Sequence, residues 1–170
     1  MTTNPSRNLI RSNDRIHLSP KLLKSVKDKK QTVGQKPNGL WYAFGKDWID
    51  FAETSYELRS GKFHAYKVDI YKDALLQIRT RRDVKRFGDV FGAKDGIDWR
   101  EVAKQYWGIE ILNNTYKARL NQFNFQRWDM NSGCIWSPLG IKSITYIGKI
   151  IIKGKKVESY RDLMLFYGFK

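Results

Sequence analysis

Gly39-Leu-Trp-Tyr-Ala-Phe-Gly45, followed directly by Lys46-Asp-Trp-Ile-Asp-Phe-Ala-Glu-Thr-Ser-Tyr-Glu-Leu58, is the stretch that decides the fold. The first part is apolar and aromatic and follows the turn signal Pro37-Asn38-Gly39, so it reads as a strand. In the second part Asp47 is placed to cap a helix that carries Trp48, Phe51, Ala52 and Ser55 on one face and has Gly61 just past its end. Upstream, Arg15-Ile-His-Leu-Ser19 reads as a short strand stopped by Pro20. Residues 21–36 are Lys-rich with Leu22, Leu23 and Val26 to one side, a pattern that predicts a short helix. Downstream, Phe63–Ile70 alternates as a half-buried strand, and Ala74–Arg79 is a further strand. Thr80-Arg-Arg-Asp83 and Asp98-Trp-Arg-Glu101 are capping boxes. The first opens a helix through Phe87 and Phe91, the second a helix ending at Gly108. Ile109–Leu112, part of Trp128–Trp136, Ile144–Lys153 and Val157 supply later strands, and Ser159 opens a last short helix. Short strands and short helices without regular alternation predict an α+β fold, in one compact domain.

The bulk composition agrees with one packed domain. The chain has 170 residues, 41% of them apolar and 14% aromatic with six Trp, enough large side chains to build a core. No apolar run approaches the roughly 20 residues that span a bilayer, and the start has no apolar signal region. Cys134 is the only cysteine and His17 and His64 the only histidines. That excludes an internal disulfide and a thiolate or His-rich metal site, so no metal is expected, and it suggests a reducing, intracellular setting, cytoplasm or nucleus of a host. Beside Ile and Trp, Cys134 reads as packing.

Charge is uneven. Of a net +15, residues 1–36 carry +7, residues 148–170 carry +4, and the long middle the remaining +4. The chain therefore divides into a basic arm over 1–15, an α+β core over 16–147 and a basic C-terminal strand, hairpin and short helix over 148–170. Such ends suit a polyanion, either nucleic acid or an acidic protein surface, and no membrane. Arg79, Arg81, Arg82, Lys85 and Arg86 crowd one helix start with Asp83 alone to offset them, an arrangement unfavourable to the helix dipole unless an anion binds there. Lys153-Gly-Lys155-Lys156 reads as a charge-tipped hairpin. Phe123, Phe125 and Trp128 beside Arg119 and Arg127 are able to stack bases, but core packing is the plainer reading. Phosphate-cradling Gly-rich loops are absent from the sequence.

One constellation carries more specific chemistry. Ile16-His17-Leu18-Ser19 places a polar His-x-Ser on a short strand, and the aromatic strand Gly39-Leu40-Trp41-Tyr42-Ala43-Phe44 leads into a helix. On these residues the chain resembles the ADP-ribosyltransferase-like superfamily, whose members carry a His on the first core strand and a Tyr on the second, followed by a helix. Tyr66–Ile70, the helix near 82–91 and Gly108–Ile111 are similar to the same layout. Gly39-Leu-Trp-Tyr42 and Ser132-Gly-Cys-Ile-Trp136 are similar to stretches of uncharacterised phage and large-virus proteins.

The resemblance implies a split sheet and NAD as cofactor. His17, with Ser19 beside it, would hold the adenine-side ribose, and Tyr42 or Trp41 would stack on the nicotinamide. Glu110 or Asp129 would stabilise the oxocarbenium-like transition state as nicotinamide leaves. Strand alternation puts one of Trp41 and Tyr42 in the core and the other in the open. With Ile109 and Ile111 facing the core, Glu110 is expected to face solvent. Two other classes fit the charge distribution, namely a nucleic-acid-binding module and a basic virion or assembly component.

Overall fold

A computed structural model describes residues 9–54, 61–115, 128 and 130–153. Among the described residues ten strands and three α-helices follow in the order β1 (Arg15–Ser19), β2 (Val33–Gly34), β3 (Leu40–Phe44), α1 (Asp47–Thr54), β4 (Gly61–Ile70), β5 (Leu75–Ile78), α2 (Arg81–Phe91), β6 (Gly92–Ala93), β7 (Gly96–Asp98), α3 (Trp99–Ala103), β8 (Gly108–Ile111), β9 (Ser132–Ile135) and β10 (Ile141–Ile152). The fold is α+β. A seven-stranded sheet has the order β10-β4-β1-β3-β9-β8-β5, and β2-β7-β6 form a small second sheet. All neighbours in the large sheet are antiparallel except β5 and β8, which run parallel.

The back face of the large sheet carries two buried clusters. Beneath β10, β4 and β1, Ile49 and Ala52 of α1 pack with Ile16, Leu18, Ala65, Ile150 and Ile152. Beneath β9, β8 and β5, residues of α2, α3 and the small sheet (Val84, Phe87, Phe91, Ile97, Trp99, Val102) pack against Ile78, Ile109, Ile111 and Cys134. Trp128 and Trp136 complete that cluster. The Thr80 capping box is present in full, with Thr80 Oγ1 accepting from Asp83 N, and Asp98 caps α3 by accepting from Arg100 N.

Several elements differ from the sequence reading. Residues 20–32 form no helix but an extended strap across the front face, where Leu23 and Val26 pack. Its bonds are long-range: Leu23 N donates to Tyr66 Oη at 2.8 Å and Lys29 N to the Trp136 carbonyl at 2.8 Å. Asp28 Oδ1 accepts from Ser137 Oγ at 2.7 Å. A helix here would stack Lys21, Lys24, Lys27 and Lys30 along one stripe, and like charges at that spacing repel. Asp47 is the first residue of α1 rather than its cap, the buried side of that helix is Ile49 and Ala52 with Trp48 partly covered, and Gly61 opens β4. The Asp98 helix ends at Ala103, and Gly108 begins β8. The arm is shorter than residues 1–15, because Ile10 is buried in the α1 cluster and Gly45 N donates to the Asp14 carbonyl. Ser55, Arg119, Phe123, Phe125, Arg127, Asp129, Lys155, Lys156, Val157 and the helix from Ser159 lie outside the described residues.

Candidate functional site

Strand registers assemble the site. In antiparallel ladders paired residues point to the same face, so the pairs Tyr146–Tyr66, Tyr66–His17, Tyr42–Gly133, Gly133–Glu110 and Glu110–Gln77 trace one transverse line across the front of the large sheet. Carrying the Arg15–Phe44 and Ile16–Ala43 register one pair further sets His17 opposite Tyr42 and joins the two halves of the line. Three of the sequence-derived candidates, His17, Tyr42 and Glu110, thus share one face, with Ser19 two residues along, but Tyr42 is fully buried, so its ring is not open to stack on a nicotinamide as the resemblance implied. Trp41 does not join them. It points to the back, where its ring lies 4.8 Å from that of Trp128 and Lys36 Nζ stands 5.3 Å from its centroid.

Glu110 is the centre of the right-hand half. Its side chain is 0% exposed, contrary to the solvent-facing position expected from its flanking Ile residues. Alternation is correct, since Ile109 and Ile111 do point backward; the second face is simply covered as well, because β8 is an inner strand. A buried carboxylate needs partners, and Glu110 has three. Arg15 Nε donates to Oε1 at 2.5 Å, Tyr42 Oη donates to Oε1 at 2.8 Å, and Gln77 Nε2 donates to Oε2 at 2.8 Å. Gln77 Oε1 in turn accepts from Arg79 Nη2 at 2.5 Å. Gly133 makes room for this: a methyl group there would overlap Tyr42 Cζ and Oη, so the phenol ring lies flat across the glycine to reach β8. Burial, reinforced by the adjacent Glu110 carboxylate, pushes the Tyr42 hydroxyl well above its ordinary value. Burial pulls the Arg15 guanidinium down, but Glu110 outweighs it and the net shift is upward. The guanidinium also stands 5.4 Å over the Phe44 ring.

The left-hand half is different. His17 borders a cleft of about 240 Å³ beneath the strap, lined also by Leu23, Ser25, Val26, Lys27, Lys29 and Leu40. His17 Nδ1 lies 2.6 Å from the Trp41 carbonyl, which fixes the ring. Partial burial lowers its pKa despite that bond. Ser19 Oγ donates to the Lys21 carbonyl at 2.6 Å and so shapes the turn into the strap.

The basic candidates fall elsewhere. Arg81 and Arg82 are exposed in the first turn of α2, Lys85 pairs with Asp89 at 2.5 Å, and Arg86 lines a second cavity of about 310 Å³ with Gln77, Phe87, Phe91 and Tyr106. The crowding of cations at this helix start is offset by Asp83. Hydrogen bonds from Arg79 N, Thr80 Oγ1 and Thr80 N, with Arg86 nearby, hold its carboxyl below the usual range. Lys153 is exposed at the end of β10. Cys134 is buried, which pushes its thiol well up. Among the described residues no group of three His, Cys, Asp or Glu side chains is placed to hold a metal ion, and no helix is long and apolar enough to cross a membrane.

Sequence reasoning missed Arg15 and Gln77, the two residues that with Tyr42 fix Glu110. Their signal was available only as parity. Arg15 is two residues before His17 on the same strand, and Gln77 interrupts the otherwise apolar Leu75–Ile78. Neither reveals its partner without the strand order. No family model, curated protein or solved structure matches the chain.

Proposed function

We propose that this chain is an ADP-ribosyltransferase-like protein that binds NAD on the front face of its sheet, with the His17 cleft as the entry for the ribose and diphosphate. The single observation that carries this reading is the transverse line that places His17, Tyr42 and Glu110 on one face. The His17 ring offers a hydrogen-bonding group for a ribose hydroxyl, and Lys27 and Lys29 at the cleft rim supply positive charge for phosphates. Glu110 is the carboxylate best placed to oppose the positive charge that develops on the second ribose as the C–N bond to nicotinamide breaks and its electron pair leaves with the ring.

Arg15 and Tyr42 compete with any ribose for that carboxylate. Transfer therefore requires Glu110 to exchange at least one of these partners for a ribose hydroxyl, whereas binding at the cleft requires no such exchange. Calorimetric titration with NAD and an assay for free nicotinamide test the two parts separately. Saturable NAD binding that is lost in His17→Ala, with nicotinamide release lost in Glu110→Gln while binding persists, is the expected result. No NAD binding to the wild type removes the reading.

A further inference from the structure

The front face has a second feature that the NAD reading does not use. Outside the strap, on β10, β4 and β1, the registers place Ser19 beside His64 beside Lys149, with Lys62 beside Ile151 in the next row. Tyr146 and Tyr66 pair in the row before. The rings form a connected series: His17 to Tyr66 at 6.2 Å between centroids, Tyr66 to Tyr146 at 5.3 Å, and Tyr146 to His64 at 5.9 Å, with His64 Nδ1 3.2 Å from Tyr146 Oη. Tyr146 keeps 46% of its surface exposed, and Lys62 is exposed two rows further along β4, beyond His64. Lys21 and Lys24, on either side of the strap segment whose Leu23 N donates to Tyr66 Oη, are exposed. Same-face residues along a strand recur about every 6.8 Å, twice the rise per residue, so the exposed Tyr146 ring, the half-exposed His64 ring and the Lys62 ammonium follow one another in successive rows, with Tyr66 buried behind them. The chain leaving β10 at the Lys62 end reads Lys153-Gly-Lys-Lys156.

We infer that this open part of the front face, centred on Tyr146 with His64 and Lys62, is a platform for single-stranded nucleic acid. An exposed ring on a sheet face, with cations within reach, recognises an unpaired base by stacking and the backbone by charge, without reading sequence. A duplex keeps its bases inside and offers the rings nothing. An acidic protein surface would satisfy the lysines but leave the exposed Tyr146 ring without a role. Net charge of +15 supplies the long-range attraction, and the platform selects the form that binds.

The test uses the full chain, without NAD, and a fluorescent oligothymidylate followed by anisotropy at several salt concentrations, alongside the matching duplex. The single strand is expected to bind more tightly than the duplex. Tyr146→Ala should weaken single-strand binding about tenfold while leaving the salt slope unchanged, because stacking is lost and charge is not. Tyr146→Phe should bind like the wild type. Lys62→Ala should reduce the slope of log affinity against log salt by about 0.7. If Tyr146→Ala binds the strand as well as the wild type does, or if duplex and single strand bind equally, the inference is overturned and the basic ends alone account for binding. Because NAD is absent throughout, the outcome is independent of the proposed NAD site.

Discussion

The two halves of the front face are built from the same kind of strand yet end in opposite states. Around β9, β8 and β5 the face is buried, and the Glu110 carboxylate on it is locked by Arg15, Tyr42 and Gln77. On β10 and β4 the strap covers the same face only as far as Tyr66 and Val68, and beyond it Tyr146 and Lys62 are exposed and His64 half exposed. The difference lies in what covers the strands, not in their periodicity. Where both faces are covered, a polar side chain persists only as part of a satisfied network. Where one face is covered, polar and aromatic groups remain free to meet a ligand. A sealed network serves stability first, and an open row serves binding first.

The sharpest way to break that contrast is Glu110→Ala. It leaves the Arg15 guanidinium partly buried without its carboxylate and removes the acceptor of Tyr42, and loss of one partner of a buried pair costs about 3–5 kcal/mol. Urea denaturation should show a large drop in midpoint. Tyr42→Phe tests the same network more gently. It keeps the ring over Gly133 and deletes only the hydroxyl that donates to Glu110, which should cost roughly 1.5–3 kcal/mol, the range for hydrogen bonds to charged groups. A loss under about 0.5 kcal/mol would mean that the hydroxyl contributes nothing to holding Glu110.

Acid distinguishes the boundary between the halves. The His17 pKa is lowered by burial from its ordinary 6.5, so the unfolded chain takes up this proton more readily than the folded one. Its contribution to stability is complete above that value and declines as pH falls below it. Thermal melts of wild type and His17→Gln should diverge near neutral pH and converge toward pH 5 in this part of their pH dependence; parallel curves would contradict the assignment. The smallest effect is expected in the open half, where Tyr146→Ala should change stability by no more than about 0.5 kcal/mol. A loss comparable to Tyr42→Phe would show that Tyr146 is a structural residue and not an open one.

Much of this architecture was legible in the sequence where local chemistry decides it. The β1 and β3 patterns, the Thr80 box and the alternation of β4 all became the elements they predict, because each is set by neighbours within a few residues. The strap was misread because Leu23 and Val26 suit a helix locally, whereas their partners are on the sheet and the run of lysines opposes helical stacking. Glu110 shows the same limit. Its direction followed from Ile109 and Ile111, but its burial depends on Arg15 and Gln77, 95 and 33 residues away. Of the candidate site, His17 and Tyr42 share a face because they lie on matched strands, and Trp41 left them because alternation sends neighbours to opposite sides.

The division of the front face into a locked and a ligand-ready half is tested most directly by hydrogen exchange of the full chain with and without NAD. Added protection over residues 16–19, 23–29 and 39–42, with β8 (Gly108–Ile111) already protected and unchanged, is the predicted result. Fast exchange of β8 in the free protein, or NAD-induced protection confined to the cavity beside Arg86 and Phe91, would contradict it.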